Sequence, residues 1–284
     1  MKTSFLSISD KNLEELSQQI KLTYNNLHAL NQKIRSANKK LIFLNFLYFP
    51  SRLTLLRAIY SKIKDKKDAQ SARIKELKNK KDGYVLTVSI SNLDKVKDDW
   101  QNFLNSFNTV VKTGAVWDIV YEDSVNRIES RTIAQKAYDR KEIIYKEKNL
   151  AWILCDLKCL YLPNKQGNDI FLYPTFFVVL EKNGKKVQVY GIKDLRITIE
   201  KTAYIEEEDL PSKTKVVDHT WKMTNMDSSI DRRFKSNYKI PVVEYGIMRI
   251  FSKDVDEAYM FSNVENLTGL KDSCGKVGLL NNIL

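Results

Sequence analysis

From Leu13 onward a seam of mostly apolar positions recurs at alternating intervals of three and four: Leu13, Leu16, Ile20, Thr23, Leu27, Leu30, Ile34, Ala37 and Leu41. This heptad spacing predicts a helix that packs along one stripe against a partner helix, with Ser9 or Asp10 as its N-cap. Pro50 predicts a break, after which Leu53, Leu56, Tyr60, Ile63, Ile74 and Leu77 resume a compatible spacing. A helical hairpin is the simplest construction, although pairing with a second subunit would use the same seam. Residues 41–50, LIFLNFLYFP, are apolar on all sides, but such a stretch falls short of the ~20 residues that span a bilayer. The inside of a hairpin requires a tight apolar turn, so a buried helix end and turn is expected ahead of a membrane-surface anchor.

After Asp82-Gly83 the period changes. Tyr84, Leu86, Val88 and Ile90 face one way and Val85, Thr87 and Ser89 the other, which predicts a half-buried strand. A helix from Asn92 to about Lys112 follows, with Leu93, Val96, Trp100, Phe103, Leu104 and Phe107 on one face. Residues 116–121 are strand-like, and residues 127–140 are helical or irregular. From Tyr145 the chain is strand after strand, with turn signals at residues 164–167 and at Asn183-Gly184. The clearest hairpin joins residues 176–180 to 187–190 through Asn183-Gly184, which tolerates a left-handed turn. Further strands are expected at residues 195–199, 215–223, 242–250 and 259–262. Together these predict an α+β fold in three parts: an N-terminal helical hairpin or coiled coil over 1–83, an αβ connector over 84–144, and a β-rich barrel- or sandwich-like module over 145–284.

Charge changes this picture, because the net +12 of the 284 residues is local. Residues 1–83 hold 18 basic and 7 acidic side chains, and the rest of the chain holds 29 and 28. A concentrated positive potential attracts nucleic acid, anionic lipid or an acidic protein surface. The candidate phosphate contacts are Arg52, Arg57, Lys62, Lys64, Lys66, Lys67, Arg73, Lys75 and Lys78; a solvated helix face would carry the same charges. No aromatic residue interleaves with residues 62–81, so stacking on bases is not expected in that stretch. His28 and His219 are too few for a His-rich metal centre. Cys155, Cys159 and Cys274 are odd in number and lack C-x-x-C spacing, which fits a reduced, cytoplasmic chain. The first residues lack an apolar h-region, so secretion is not expected. No metal, cofactor or membrane span is expected.

The succession KTGAVWDIVYED, Ser130-Arg131, YLPNKQGNDIFLYPTFFVVLEKNGKKVQVYGIKDL, TAYIEEEDLPSKTKVVDHTWKMTN and SSIDRRFKSNYKIPVVEYG resembles an uncharacterised bacterial family, over roughly residues 110–263. That family has a helical front and a β-rich module with a segment of the form G-G-P-D-R-R-F-x-x-N-x-x-I-P-V-x-x-Y-G. Asp231, Arg232, Arg233, Phe234, Asn237, Ile240, Pro241, Val242, Tyr245 and Gly246 match it, as do Trp117, Arg131 and Trp221, while Ser228-Ser229-Ile230 stands in place of Gly-Gly-Pro. The resemblance implies this domain layout, a bacterial origin and a setting in defence against phage, and no mechanism.

Asp231, Arg232, Arg233, Phe234 and Asn237 form a candidate recognition loop. Either Asp231 caps the turn and pairs with an arginine while Phe234 anchors the loop in the core, or the arginines and Asn237 form a pocket for a phosphate or carboxylate. The former is favoured. Pro241 is expected at a strand start or edge. The run Glu206-Glu207-Glu208-Asp209 contains the residue type that two-metal nucleases use in pairs, but a solvated turn is expected. Asp218 and His219 are neighbours on a strand and point to opposite faces, so Asp218 cannot orient the imidazole. The expected function is a non-enzymatic binding or scaffold protein. Its basic helices oligomerise and engage an anionic partner, nucleic acid first, and its β module recognises a protein or ligand. The alternative is a nuclease or other enzyme using Arg232, Arg233 and residues 206–209.

Overall fold

The computed structural model describes residues 4–8, 12–53, 57–90, 93–124, 136–165, 167–181, 184 and 186–280. The chain forms two compact units. One comprises Met1–Ser91, Asn149–Asp156 and Leu180–Val189, and the other Asn92–Lys148, Leu157–Val179 and Tyr190–Leu284.

The first unit is built on two long helices, α1 (Leu13–Leu53) and α2 (Arg57–Asp82). The seam closes within the chain. Gln70 donates to the Ala37 carbonyl at 3.0 Å, and the Tyr48 and Tyr60 hydroxyls lie 2.5 Å apart with their rings stacked. The partner numbers rise on one helix as they fall on the other, so the pair is antiparallel. Leu16, Ile20, Leu27, Ala37 and Ile74 are buried, as the heptad spacing requires. The expected break at Pro50 is absent: α1 runs through it to Leu53. A proline in the last turn forfeits one backbone bond, to the carbonyl four residues back, and leaves the rest of the ladder intact. Ser9 and Asp10 lie outside the described residues. A small parallel sheet accompanies the helices, in the order β1 (Ser4–Ile8), β2 (Leu86–Ile90), β5 (Ile153–Cys155). β2 alternates between buried and half-buried positions, as its sequence predicts.

The second unit holds α3 (Leu93–Lys112), whose Trp100, Phe103, Leu104 and Phe107 are buried, and a short α4 (Leu267–Lys276). Its main sheet is antiparallel and curls into a half-barrel, in the order β10 (Arg196–Ile205), β12 (Lys239–Ser252), β13 (Val255–Phe261), β3 (Val116–Ser124), β4 (Lys136–Glu142). The stretch expected to be helical or irregular therefore ends in strand β4, and residues 125–135, with Arg131, lie outside the described residues. β12 pairs with β10 along one side; on the other it meets first β11 (Lys215–Trp221) and then β13. Pro241 lies near the start of β12, opposite His219. β6 (Leu160–Leu162), β7 (Asp169–Leu172) and β8 (Phe176–Leu180) are successive in a further sheet. The turn after β8 places Gly184 at φ +65° before β9 (Val187–Gly191); Asn183 lies outside the described residues.

The inner face of the half-barrel takes every second residue: Trp117 and Ile119 from β3, Val243, Tyr245 and Ile247 from β12, Ala258 and Met260 from β13. Arg140 of β4 and Glu206, just after β10, join across it at 2.6–2.8 Å. β4 and β10 are the two ends of the five-strand order, so this bond staples the edges of the curl. Arg140 lies 4.3 Å from the Trp117 ring centre and 4.7 Å from that of Tyr204, and Tyr245 donates to Glu206 at 2.6 Å. Burial works to lower the Arg140 pKa, but the hydrogen bond to Glu206 together with the electrostatic pull of Tyr204, Glu206 and Tyr245 outweighs it, so the guanidinium stays charged. Beside Tyr245, Gly246 is a steric requirement, because a Cβ there would run into the Leu267 side chain of α4.

Removing one member of the staple leaves a buried charge. Arg140→Met or Glu206→Met is expected to cost about 3–5 kcal/mol, and the double variant to recover most of that loss; urea denaturation of the three proteins measures it.

Candidate nucleic-acid interface

The helical pair gathers cations from both of its members. An open groove of about 660 Å³ is lined by Lys39, Lys40, Phe43 and Leu44 of α1 and by Lys66 and Arg73 of α2. Lys66 and Arg73 belong to the expected basic run. Lys39 and Lys40 do not, and the signal for them lies in the seam: in the antiparallel register set by Ala37 and Gln70, they fall opposite Asp68 and Lys67, within the basic run of α2. Lys62, Lys64, Lys75 and Lys78 are exposed outside the groove. Lys67 is half-buried, 4.5 Å from the Tyr48 ring centre in a cation–π contact. The side chains of Arg52 and Arg57 lie outside the described residues.

The apolar stretch at the end of α1 is not a buried turn. Ile42, Phe43 and Phe46 are 67%, 62% and 76% exposed, and Leu47 and Ile59 are also exposed. The seam residues Leu41, Leu44 and Tyr48 are half-buried instead, because a helix offers only one stripe to its partner and this segment is apolar all round.

In the second unit, the loop following β11 is braced by Asp231. Its buried carboxylate accepts the Arg233 backbone N–H at 3.1 Å and the Arg233 guanidinium at 2.7–2.8 Å. Asn237 clasps Met223, accepting its N–H at 3.0 Å and donating to its carbonyl at 2.7 Å. Arg233 and Asn237 are thus consumed as struts, which leaves Arg232 exposed. Phe234 does not anchor the loop in the core: it is 38% exposed, on a loop that also exposes Met226 and Tyr238. Ser228 adopts φ +67°, a conformation that favours glycine.

Glu206 departs from the solvated turn expected for its run. It is buried and its carboxylate is occupied by Arg140, Tyr245 and the Glu208 N–H, whereas Glu207, Glu208 and Asp209 are exposed. The reason is parity: Glu206 continues the inward register of Tyr204. Asp218 accepts the backbone N–H of His219 at 2.7 Å, a local bond that does not involve the imidazole. Among the described residues, no group of three or more His, Cys, Asp and Glu could hold a metal ion.

Ser228→Gly is expected to stabilise the protein by about 0.5 kcal/mol in thermal denaturation, by relieving the left-handed strain. Arg232→Ala is expected to change stability by less than about 0.5 kcal/mol in the same measurement, since it braces nothing. No known family, curated protein or solved structure matches the chain.

Proposed function

We propose that the protein is a non-enzymatic, cytoplasmic binding or scaffold protein. Its helical hairpin engages nucleic acid through backbone phosphates, and its loop around Arg232 and Phe234 meets a partner protein. The observation that carries this reading is the groove between α1 and α2, to which both helices contribute cations. Cations converging from two elements are more than the solvated face that a single basic helix would present. The loop's exposed Met226, Arg232, Phe234 and Tyr238 are residue types enriched at protein interfaces, held on a braced backbone. No helix among the described residues is long and apolar enough to cross a membrane. The nuclease alternative has little to draw on, since Glu206 is held by Arg140 and Arg233 by Asp231. A bacterial setting in defence against phage rests on the family resemblance alone.

Four groove cations neutralising phosphates imply a logarithmic salt slope of about −3 for a single strand, or roughly a 50-fold loss of affinity between ~50 and ~200 mM salt. Fluorescence anisotropy with a labelled oligonucleotide measures it. The combined Lys66→Glu and Arg73→Glu variant is expected to flatten that slope, and a salt-independent affinity would sink the reading.

A specific observation also favours self-association. Ile42 with Phe46 and Phe43 with Leu47 stand four residues apart on α1 and are exposed, which makes a second apolar stripe suited to a second copy of the hairpin. The exposed Asp65 and Asp68 of α2 offer partners to the lysines of that copy. Phe43→Ser with Phe46→Ser is expected to reduce the oligomer to monomer in analytical ultracentrifugation; an unchanged mass would exclude this stripe as the interface.

A further inference from the structure

A second concavity of the first unit, about 470 Å³, lies along α1 where the hairpin meets the small sheet. That size is in the range of small-ligand sites. One end is aromatic: Tyr24, Tyr84 and Trp152 line it, with the Tyr24 and Trp152 ring centres 5.8 Å apart. Gly184 completes this end, 3.6 Å from the Tyr24 hydroxyl measured from where a Cβ would stand. The middle is polar, formed by Asn31, Gln32 and His28, with Gln32 donating to His28 Nε2 at 2.8 Å. The far end holds Arg35, which is 11 residues beyond Tyr24 and so about 16 Å along the helix axis.

One turn past Arg35 is Lys39, which opens the cationic groove. Residues 28, 31, 35 and 39 share one helix face. The aromatic end, the amide middle and the phosphate-binding groove are therefore consecutive along a single track. No stretch of sequence contains this arrangement: Tyr24 comes from α1, Tyr84 from the residues just before β2 and Trp152 from the turn before β5.

Resting on the reading of the hairpin as a nucleic-acid binder, we propose that this cleft takes an unstacked base at the aromatic end of the track, while the strand's phosphates pass Arg35 into the groove. The partner is then single-stranded. Aromatic faces offer stacking to any base, and the amides and imidazole offer hydrogen bonds to its edge. A duplex buries its bases and leaves the cleft empty. Lys81 and Asp82 also line the cleft, and their opposite charges offset each other; Arg35 is the lining cation that stands one turn from the groove, so phosphates are directed toward it.

The test uses the full chain with a ten-nucleotide single strand, its duplex and adenosine monophosphate. The single strand is expected to bind about tenfold more tightly than the duplex and to quench tryptophan fluorescence, and the quench is expected to vanish in Trp152→Phe. Trp152→Ala is expected to weaken single-strand binding about tenfold with the salt slope unchanged. Arg35→Glu, an exposed change that the fold tolerates, should weaken it similarly if Trp152→Ala is unstable. Adenosine monophosphate should reproduce the quench at millimolar concentration. If duplex and single strand bind equally and Arg35→Glu and Trp152→Phe leave binding and quench alone, the cleft assignment is overturned and the groove remains. If neither nucleic acid binds, both readings fall.

Discussion

Arg140 and Glu206 come from the strands that the half-barrel's hydrogen-bond order keeps farthest apart, and their bond is what brings the open edges of that sheet together. Burying two charges costs several kcal/mol in desolvation, so such a pair persists only where the remaining hydrogen-bonding capacity is met. Here it is met closely. The carboxylate also accepts from the Tyr245 hydroxyl and the Glu208 N–H, and the guanidinium faces the rings of Trp117 and Tyr204. Burial first, and the bond to Glu206 second, hold the Tyr245 hydroxyl well above its ordinary pKa, so it remains a donor. A different curl would strand one of these charges in an apolar interior, which gives the sheet one closure rather than several.

The segment from Asp231 to Gly246 follows from that closure. Tyr245 serves the staple, Gly246 makes room for Leu267, Ile240 and Val242 are buried, Asp231 braces Arg233 and Asn237 braces Met223. Most of these residues thus hold a backbone in place. Arg232, Arg233 and Phe234 are all exposed, but Arg233 is tied to Asp231, so functional contacts of the second unit are best sought at Arg232 and Phe234.

The first unit answers a different constraint. Two helices with like-charged flanks repel each other, and what holds them is the apolar seam with the stacked Tyr48 and Tyr60 at its far end. The repulsion is the useful part. It leaves a positive field across the groove between the two helices.

Periodicity alone determined the two long helices, α3, the alternation of β2 and the strand-rich character of the later chain, because each is a local pattern repeated over many residues. It also located the charge. Strand β1 escapes such a reading, since a five-residue element carries too little pattern, and β4 passes for helical or irregular because its sequence is mostly charged and its inward face alternates Tyr138 with Arg140. The exposure of Ile42, Phe43 and Phe46 could not be told from burial, as an all-apolar helix has no preferred face until a partner chooses one. Glu206 resembles its three exposed neighbours in sequence and differs from them only by the inward face of β10. The aromatic cleft joins residues 24, 84 and 152. A stretch of sequence dictates what the chain does next to itself, and only the folded chain decides which distant residues share an environment.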